Sequence, residues 1–128
     1  MGVLTNPAEE LALDAALTGT KIALCTGTPD ESGAMSNEVT GPNYSRQAWS
    51  YSIVQGNPTE ASNDADVIFT ATGSWGTVTH AAAVTDANEV RAVVELVDPN
   101  DTGVALPQTV ESGNDVRFAV GQFVVTLD

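Results

Sequence analysis

Residues 45–54, SRQAWSYSIV, are the stretch that decides the fold class. Within it, Trp49, Tyr51 and Ile53 alternate with two serines. Successive side chains of an extended chain point to opposite faces, so the three large side chains share one face and the serines share the other. The pattern predicts a β-strand that is apolar on one side and solvated on the other.

Short runs of the same kind recur between clusters rich in Gly, Pro, Asn, Asp and Ser, and no helical period is present from residue 21 onward. This spacing is typical of an antiparallel sandwich. The predicted fold class is all-β, an antiparallel, jelly-roll-like β-sandwich with one short N-terminal α-helix, and Trp49 and Trp75 are the predicted core anchors. The predicted strands cover residues 21–26, 45–54, 65–70, 77–85, 90–97, 104–110, 115–119 and 122–127.

The N-terminal segment has the signals of a short helix that runs to about residue 17. Asn6 can cap it and Pro7 suits its first position. Glu9 stands where a capping-box acid would lie, and Gly19 marks the end. We divide the chain into an N-terminal arm or helix at residues 1–20 and a sandwich domain at residues 21–128. The predicted apolar stripe of the helix consists of Leu4, Ala8, Leu11 and Ala15, and we expect the helix to pack on the β core or on a neighbouring subunit.

Residues 27–43 form a long connection between the first two predicted strands, with several glycines and prolines and little to bury. We expect an exposed loop that makes contact with a partner; a plain connection is the alternative. No pair of residues in it suggests chemistry. The possible partner contacts in the whole chain are Leu4, Leu11, Asp30, Glu31, Asn37, Tyr44, Arg46 and His80.

The charge of the chain is strongly negative, with 17 acidic residues against 4 basic ones and a net charge of −13 in 128 residues. Nucleic-acid binding depends largely on Lys and Arg that displace counterions from phosphates, so DNA and RNA are not expected partners. The charge fits a saline, halophilic setting, where salt screens the repulsion. It equally fits an acidic protein kept soluble by its charge, or one that docks on a basic surface.

Cysteine usage and hydropathy give no sign of export. Cys25 is the single cysteine and lies in an apolar run, so we expect a buried, inert thiol and no intramolecular disulfide. Residues 1–7 lack the features of a signal peptide, and no run could span a bilayer. We therefore expect neither export nor contact with a membrane.

The sequence offers no constellation of residues for catalysis. His80 is the single histidine and lies in an apolar run, where a packed, hydrogen-bonded core or interface histidine is expected. One Cys and one His cannot complete a zinc site, and the turns at residues 63–66 and 98–103 lack the spacing of a Ca²⁺ loop. Acid pairs such as Glu89 and Glu95 arise by chance in so acidic a chain. We predict no enzyme activity and no catalytic, cofactor-binding or metal-ligating residue.

Several blocks of the sequence resemble a family of small tailed-phage virion proteins. They are residues 44–48 (YSRQA), 67–69 (VIF), 110–113 and 118–127, together with the most specific block, residues 71–80 (ATGSWGTVTH). Members of this family are variously labelled head decoration (cement), minor capsid or tail-fibre proteins. The resemblance implies a structural role in the virion and a β-sandwich-like fold, and it implies no catalytic residues.

Size favours one placement on the particle. A decoration protein needs only a compact domain, one contact surface and an arm. We therefore expect a capsid decoration protein that binds the outside of the major capsid lattice, stabilises the head and, by analogy, forms a homotrimer. The alternative is a tail-associated protein, a tail fibre or minor tail component, that binds a host surface. The expected location is the virion, assembled in the host cytoplasm.

Overall fold

A computed structural model of the protein describes residues 4–29, 35–98 and 101–127, with the backbone alone at residues 98 and 101–104. The described residues form one helix and thirteen strands. Helix α1 covers Asn6–Leu17. The strands are β1 Thr20–Cys25, β2 Gln47–Ala48, β3 Tyr51–Val54, β4 Thr59–Asn63, β5 Val67–Thr70, β6 Gly76–Val78, β7 His80–Thr85, β8 Val90–Glu95, β9 Val97–Asp98, β10 Asp101–Ala105, β11 Gln108–Val110, β12 Asp115–Phe118 and β13 Val124–Leu127.

The strand pairs are nested along the chain. β4 pairs with β13, β5 with β12 and β6 with β11, and every pair is antiparallel. A jelly roll has this nesting, because it is wound from one long folded hairpin. A four-stranded sheet in the order β2-β1-β7-β8 lies beside these pairs, and β3 extends the sheet β13-β4-β3 at its edge. The predicted all-β, sandwich-like fold with one short helix is confirmed.

Four predicted strands, those at residues 45–54, 77–85, 90–97 and 104–110, are each divided in the structure, because the chain passes from one sheet to another within them. The strand predicted at residues 45–54 becomes β2, which pairs with β1, and β3, which pairs with β4. Trp49 lies at the crossing, where its indole N–H donates to the Thr20 hydroxyl at 3.0 Å and its ring meets Phe123. The strand predicted at residues 77–85 is divided at Thr79 into β6 and β7.

Strand β4 was not predicted, because its sequence TEASN lacks the large apolar residues that usually mark a buried face. Its inward positions are Thr59, Ala61 and Asn63, and all three are buried. The Asn63 amide donates to the carbonyls of Ala65, Phe118 and Ala119, and its Oδ1 accepts from the Phe123 N–H. These hydrogen bonds link β4 to the turn between β12 and β13. They also satisfy the polar groups of the Asn63 amide, as buried polar groups require.

The helix has the predicted bounds but a different cap and a different buried face. Thr5 caps it, with its hydroxyl accepting from the Ala8 N–H at 3.4 Å, and Asn6 is the first helical residue. The predicted stripe of Leu4, Ala8, Leu11 and Ala15 does not face the β core, and its contact with a neighbouring subunit stays a prediction. The buried residues are Glu9, Leu13 and Leu17, which are spaced by four and so share one face of the helix. Glu9 does not reach back as a capping-box acid; its carboxylate accepts from the buried Thr59 hydroxyl.

The core lies between the helix, the four-stranded sheet and the nested pairs. Trp75 is buried in it as predicted, whereas Trp49 is half-buried and packs against its side. The largest fully buried apolar side chains include Leu17, Ile22, Leu24, Phe69 and Phe123.

Within the described part of the chain, no helix has the length and apolar character needed to cross a membrane.

Candidate functional site

The described part of the long loop, residues 27–29 and 35–43, packs against the four-stranded sheet. The Val39 N–H donates to the Leu24 carbonyl at 3.0 Å, and the Thr26 N–H donates to the Asn37 carbonyl at 2.8 Å. Val39 is buried, and Met35 packs on the outer face of the sheet. Strands β1 and β7 are therefore covered on both faces over most of their length. The loop is built into the fold as well as exposed on it.

The block at residues 71–80 holds residues 41–42 of the loop in place. The Trp75 indole N–H donates to the Pro42 carbonyl at 2.7 Å. A side chain at Gly41 would overlap the Trp75 ring, and one at Gly73 would overlap the Pro42 ring. Glycine at these two positions lets the loop approach the tryptophan closely. The most specific block of the sequence thus has a structural task.

Glu38, Tyr44 and Arg46 form a hydrogen-bonded group that we call the Glu38 clasp. Arg46 binds the Glu38 carboxylate with two N–H groups, Nε to Oε2 and Nη2 to Oε1, both at 2.9 Å. The Tyr44 hydroxyl donates to Glu38 Oε2 at 2.7 Å and accepts from the Leu24 N–H at 3.0 Å. Arg46 Nη2 also donates to Asn88 Oδ1 at 2.8 Å. Paired charge-assisted bonds of this kind are strong and directional, so the clasp fixes the loop to β1 and to the turn after β7.

Electrostatics in the clasp favour the ionised pair. Burial acts to raise the pKa of Glu38, but hydrogen bonds from Arg46 and Tyr44, with the charge of Arg46, lower it below its usual 4.5 overall. The hydrogen bond that Arg46 donates to Glu38 raises the pKa of Arg46. Burial, and then the hydrogen bond to Glu38, raise the pKa of Tyr44. Glu38 is charged and Tyr44 is neutral at pH 7, which is the state that their hydrogen bonds require.

Cys25 lies beside the clasp and is buried, as predicted for an inert thiol. Burial, and then the charge of Glu38, raise the pKa of the Cys25 thiol from 9.0 to about 12. The thiolate is the nucleophile and the metal ligand, so a protonated, buried thiol is unreactive at neutral pH.

His80 and Asn37 lie close together at the end of the loop, with Thr28 between them. The ring nitrogen Nε2 of His80 is 3.4 Å from the Thr28 hydroxyl, and the Asn37 amide donates to the Thr28 carbonyl at 3.1 Å. We call Thr28, Asn37 and His80 the loop end. Thr28 and Asn37 are exposed, and His80 is half-buried with Nδ1 at 2.8 Å from the Thr79 hydroxyl. The Glu95 carboxylate is 3.9 Å from Nε2, beyond hydrogen-bond range, so it does not orient the ring as the acid of a catalytic triad would.

A second surface lies on the other side of the molecule, where α1 meets β3. An open groove of about 570 Å³ is lined there by Pro7, Glu10, Leu11, Asp14, Tyr51 and Ile53; we call it the helix groove. Leu11 is 73% exposed at its edge. The Tyr51 hydroxyl donates to Asp14 Oδ1 at 2.7 Å, and the Gln55 amide donates to Glu10. Both acids on the rim therefore have neutral partners.

The basic residues of the chain are all engaged within it. Arg46 binds Glu38, Arg91 binds Glu89 at 2.6 Å and Arg117 binds Asp66 at 2.5 Å. Lys21 lies 3.7 Å from Asp86. These four are every Lys and Arg in the sequence, so the described surface offers acids and no unpaired cation. No group of three metal-ligating side chains occurs among the described residues.

A protein-family model matches residues 6–126, from the start of α1 almost to the end of β13. Its description is podophage GP4 fiber I protein gp80. The chain belongs to this family. It is a structural protein of the phage virion, which confirms the resemblance found in the sequence. No curated protein and no solved structure matches the chain.

The predicted contact residues of this gp80-family protein fall into separate places. Leu4 and Leu11 are exposed on and before the helix, and Asn37 and His80 meet at the loop end. Tyr44 and Arg46 are occupied in the Glu38 clasp. Asp30 and Glu31 lie outside the described residues. Contact with a partner stays a prediction for all of them.

Sequence reasoning missed the clasp and the helix groove. Glu38 was placed in the loop with no partner assigned, since nothing in the sequence connects it with Arg46. The groove combines residues of α1 with Tyr51 and Ile53, which are 37 or more positions away from them in the chain. The one available signal was an extra apolar residue in the helix: Leu11, beyond the leucines of one buried stripe.

Proposed function

We propose that this gp80-family protein is a component of a podophage tail fibre, where it binds other molecules and catalyses no reaction. The observation that carries the proposal is the match of residues 6–126 to a family whose description is a fibre protein. Because the match includes the helix and the strands of the sandwich, it concerns the whole described fold and not one motif.

The structure supports a binding role. The Cys25 thiol is buried and protonated, and no acid among the described residues is within hydrogen-bond distance of His80. The loop end presents Thr28 and Asn37 on a segment that is fastened by the Glu38 clasp and by Trp75. A rigid support keeps the entropic cost of binding low. We propose that the loop end faces the host surface.

The family description favours the tail over the head, so capsid decoration becomes the competing placement. The major capsid protein as partner, the homotrimer and assembly in the host cytoplasm stay predictions. Copy number and antibody-gold labelling of purified virions decide between the two placements. A small number of copies with label at the tail supports the fibre; hundreds of copies with label over the head overturn it.

Host contact by the loop end is tested by competition. Purified protein added before the phage should reduce adsorption to the host, and the Thr28→Glu variant should lose this effect. Thr126→Glu is the matched control, since Thr126 is exposed on β13, away from the loop. Equal inhibition by Thr28→Glu and the unchanged protein contradicts a host-facing loop end.

A further inference from the structure

The outer side of α1 carries an apolar stripe that the fold leaves uncovered. Pro7 and Leu11 are four residues apart in the helix, so they lie on one side of it, and Leu4 precedes the helix cap Thr5, while Leu13 and Leu17 face the core. Leu4 is 56% exposed and Leu11 is 73% exposed. Single exposed apolar side chains are ordinary, but a stripe that borders a groove marks a contact surface.

The opposite wall of the helix groove can accept a partner. It is formed by Tyr51 and Ile53, which are half-buried and so present part of their surface to the groove. They belong to β3, which is the terminal strand in the sheet order β13-β4-β3. Terminal strands are the usual place for added contacts between chains.

Charge decides which partner fits. The carboxylates of Glu10 and Asp14 lie on the rim and receive hydrogen bonds from a neutral amide and a neutral hydroxyl, which leave their charge uncompensated. A second copy of this chain has only Lys21, Arg46, Arg91 and Arg117 to offer, and each already has an acidic partner. Two copies, each with a net charge of −13, also repel each other.

We infer that the helix groove is the docking surface for a segment of another virion protein, one that inserts an apolar side chain beside Leu11 and carries Lys or Arg to face Glu10 and Asp14. The inference rests on the proposed function only in that the chain is part of an assembled particle. It assigns the groove to the attachment of the chain to the particle, on a different surface from the loop end. Apolar contact provides the binding that salt does not screen, and the charges add register and specificity.

Carboxyl labelling of intact virions tests this directly. Glycine ethyl ester with a carbodiimide should label Glu10 and Asp14 in the purified protein and fail to label them in the virion. Glu60 and Glu111 are control acids, since both are exposed away from the groove and should be labelled in both samples. Labelling of Glu10 and Asp14 that is equal in the two samples overturns the inference.

Carbodiimide without the ester then identifies the occupant, because it joins a carboxylate directly to a lysine that touches it. The expected product joins Glu10 or Asp14 to a lysine of a different virion protein. This chain contains one lysine, Lys21, so a crosslinked product with twice the mass of the chain in which Glu10 or Asp14 is joined to Lys21 identifies a second copy. A crosslink to Lys21 of another copy overturns the proposed occupant.

Variants separate the apolar from the charged contribution, with a peptide that spans the crosslinked lysine as the probe. Leu11→Lys should abolish binding of the peptide, while Ile68→Lys, a control at a 45% exposed position on β5, should not. The Glu10→Gln/Asp14→Asn pair should raise Kd about tenfold at low salt and less at high salt, since rim charges are screened. The control pair Glu60→Gln/Glu111→Gln should leave Kd unchanged, and equal effects of the two pairs contradict a specific role for the rim.

These outcomes do not depend on the placement of the protein on the particle. Antibody-gold label over the head would overturn the fibre proposal. Protection of Glu10 and Asp14 in the virion would still support the helix groove as a docking surface. Unprotected carboxylates would overturn the groove assignment even with the label at the tail.

Discussion

The loop at residues 35–43 and helix α1 both lie outside the sheets, yet they are attached to them in opposite ways. The loop is polar and is held by the Glu38 clasp, whose arginine and glutamate side chains are 21% and 23% exposed. The helix is apolar and is held by Leu13 and Leu17, while Leu11 stays 73% exposed. A polar segment can therefore be fixed in the fold, and an apolar side chain can stay exposed. Polarity alone does not say which segment is fixed; the contacts in the structure do.

The largest effect is expected where the helix enters the core. Leu17 is 1% exposed, and Leu17→Ala should lower the free energy of unfolding by about 3 kcal/mol, through lost burial and the cavity left behind. Urea unfolding followed by circular dichroism measures this. A loss below about 1 kcal/mol would mean that the helix is not docked as described, because surface positions show effects of that size.

Disruption of the Glu38 clasp should cause the second-largest loss in the free energy of unfolding. Glu38→Ala leaves Arg46 and Tyr44 largely buried without their acceptor, and we expect a loss of about 2 kcal/mol in the same measurement. The control is Glu89→Ala, which breaks the more exposed pair with Arg91 and should cost about 0.5 kcal/mol. Equal losses from the two variants would show that the loop does not depend on the clasp.

The pH dependence of stability should reveal the same clasp with a smaller effect. The pKa of Glu38 is lower in the folded than in the unfolded protein, so its contribution is present above about pH 5 and is lost as the pH falls through its folded pKa. Glu38→Gln cannot titrate, so its stability should decline less steeply below pH 5 than that of the unchanged protein. Unfolding free energies at several pH values between about 3 and 6 test this, and parallel curves would contradict it.

The smallest effect is expected at Leu11, on the outer side of the helix. Leu11→Ala removes the same atoms as Leu17→Ala, but it should change the free energy of unfolding by less than about 0.5 kcal/mol, because the side chain is mostly in water in the isolated protein. The two variants are thus matched controls for each other. A loss at Leu11 that approaches the loss at Leu17 would mean that this leucine belongs to the core and not to a contact surface.

Much of the fold could be predicted from the sequence. Strands β1, β5, β8, β12 and β13 lie close to their predicted positions, and α1 has its predicted bounds. Alternation and turn residues are local signals, so they locate elements without knowledge of their partners. Strand β4 was not predicted, because its buried positions are Thr59, Ala61 and Asn63. Their burial depends on the strands opposite and on the hydrogen bonds of Asn63.

The candidate sites could be predicted less well. Tyr44 and Arg46 were predicted as partner contacts, but both are engaged in the clasp with Glu38, which requires the loop to fold back over β1. Leu11 was placed in an apolar stripe, and the sequence left open whether that stripe faces the core or another subunit, since either side of a helix with several leucines can face a core. Asn37 and His80 were both among the predicted contacts and lie near each other at the loop end, where contact with a partner stays a prediction.

The sequence by itself determined the β-rich class, the bounds of the helix, the strong negative charge and the buried state of Cys25, because each follows from composition or from a short-range period. The tertiary structure alone decided which helix face is buried, where four predicted strands divide and which acid Arg46 binds. The physical reason is that the hydrophobic effect has no direction, so an apolar side chain is buried only where another element covers it. For Leu11 no such element lies within the described fold, so its side chain is 73% exposed.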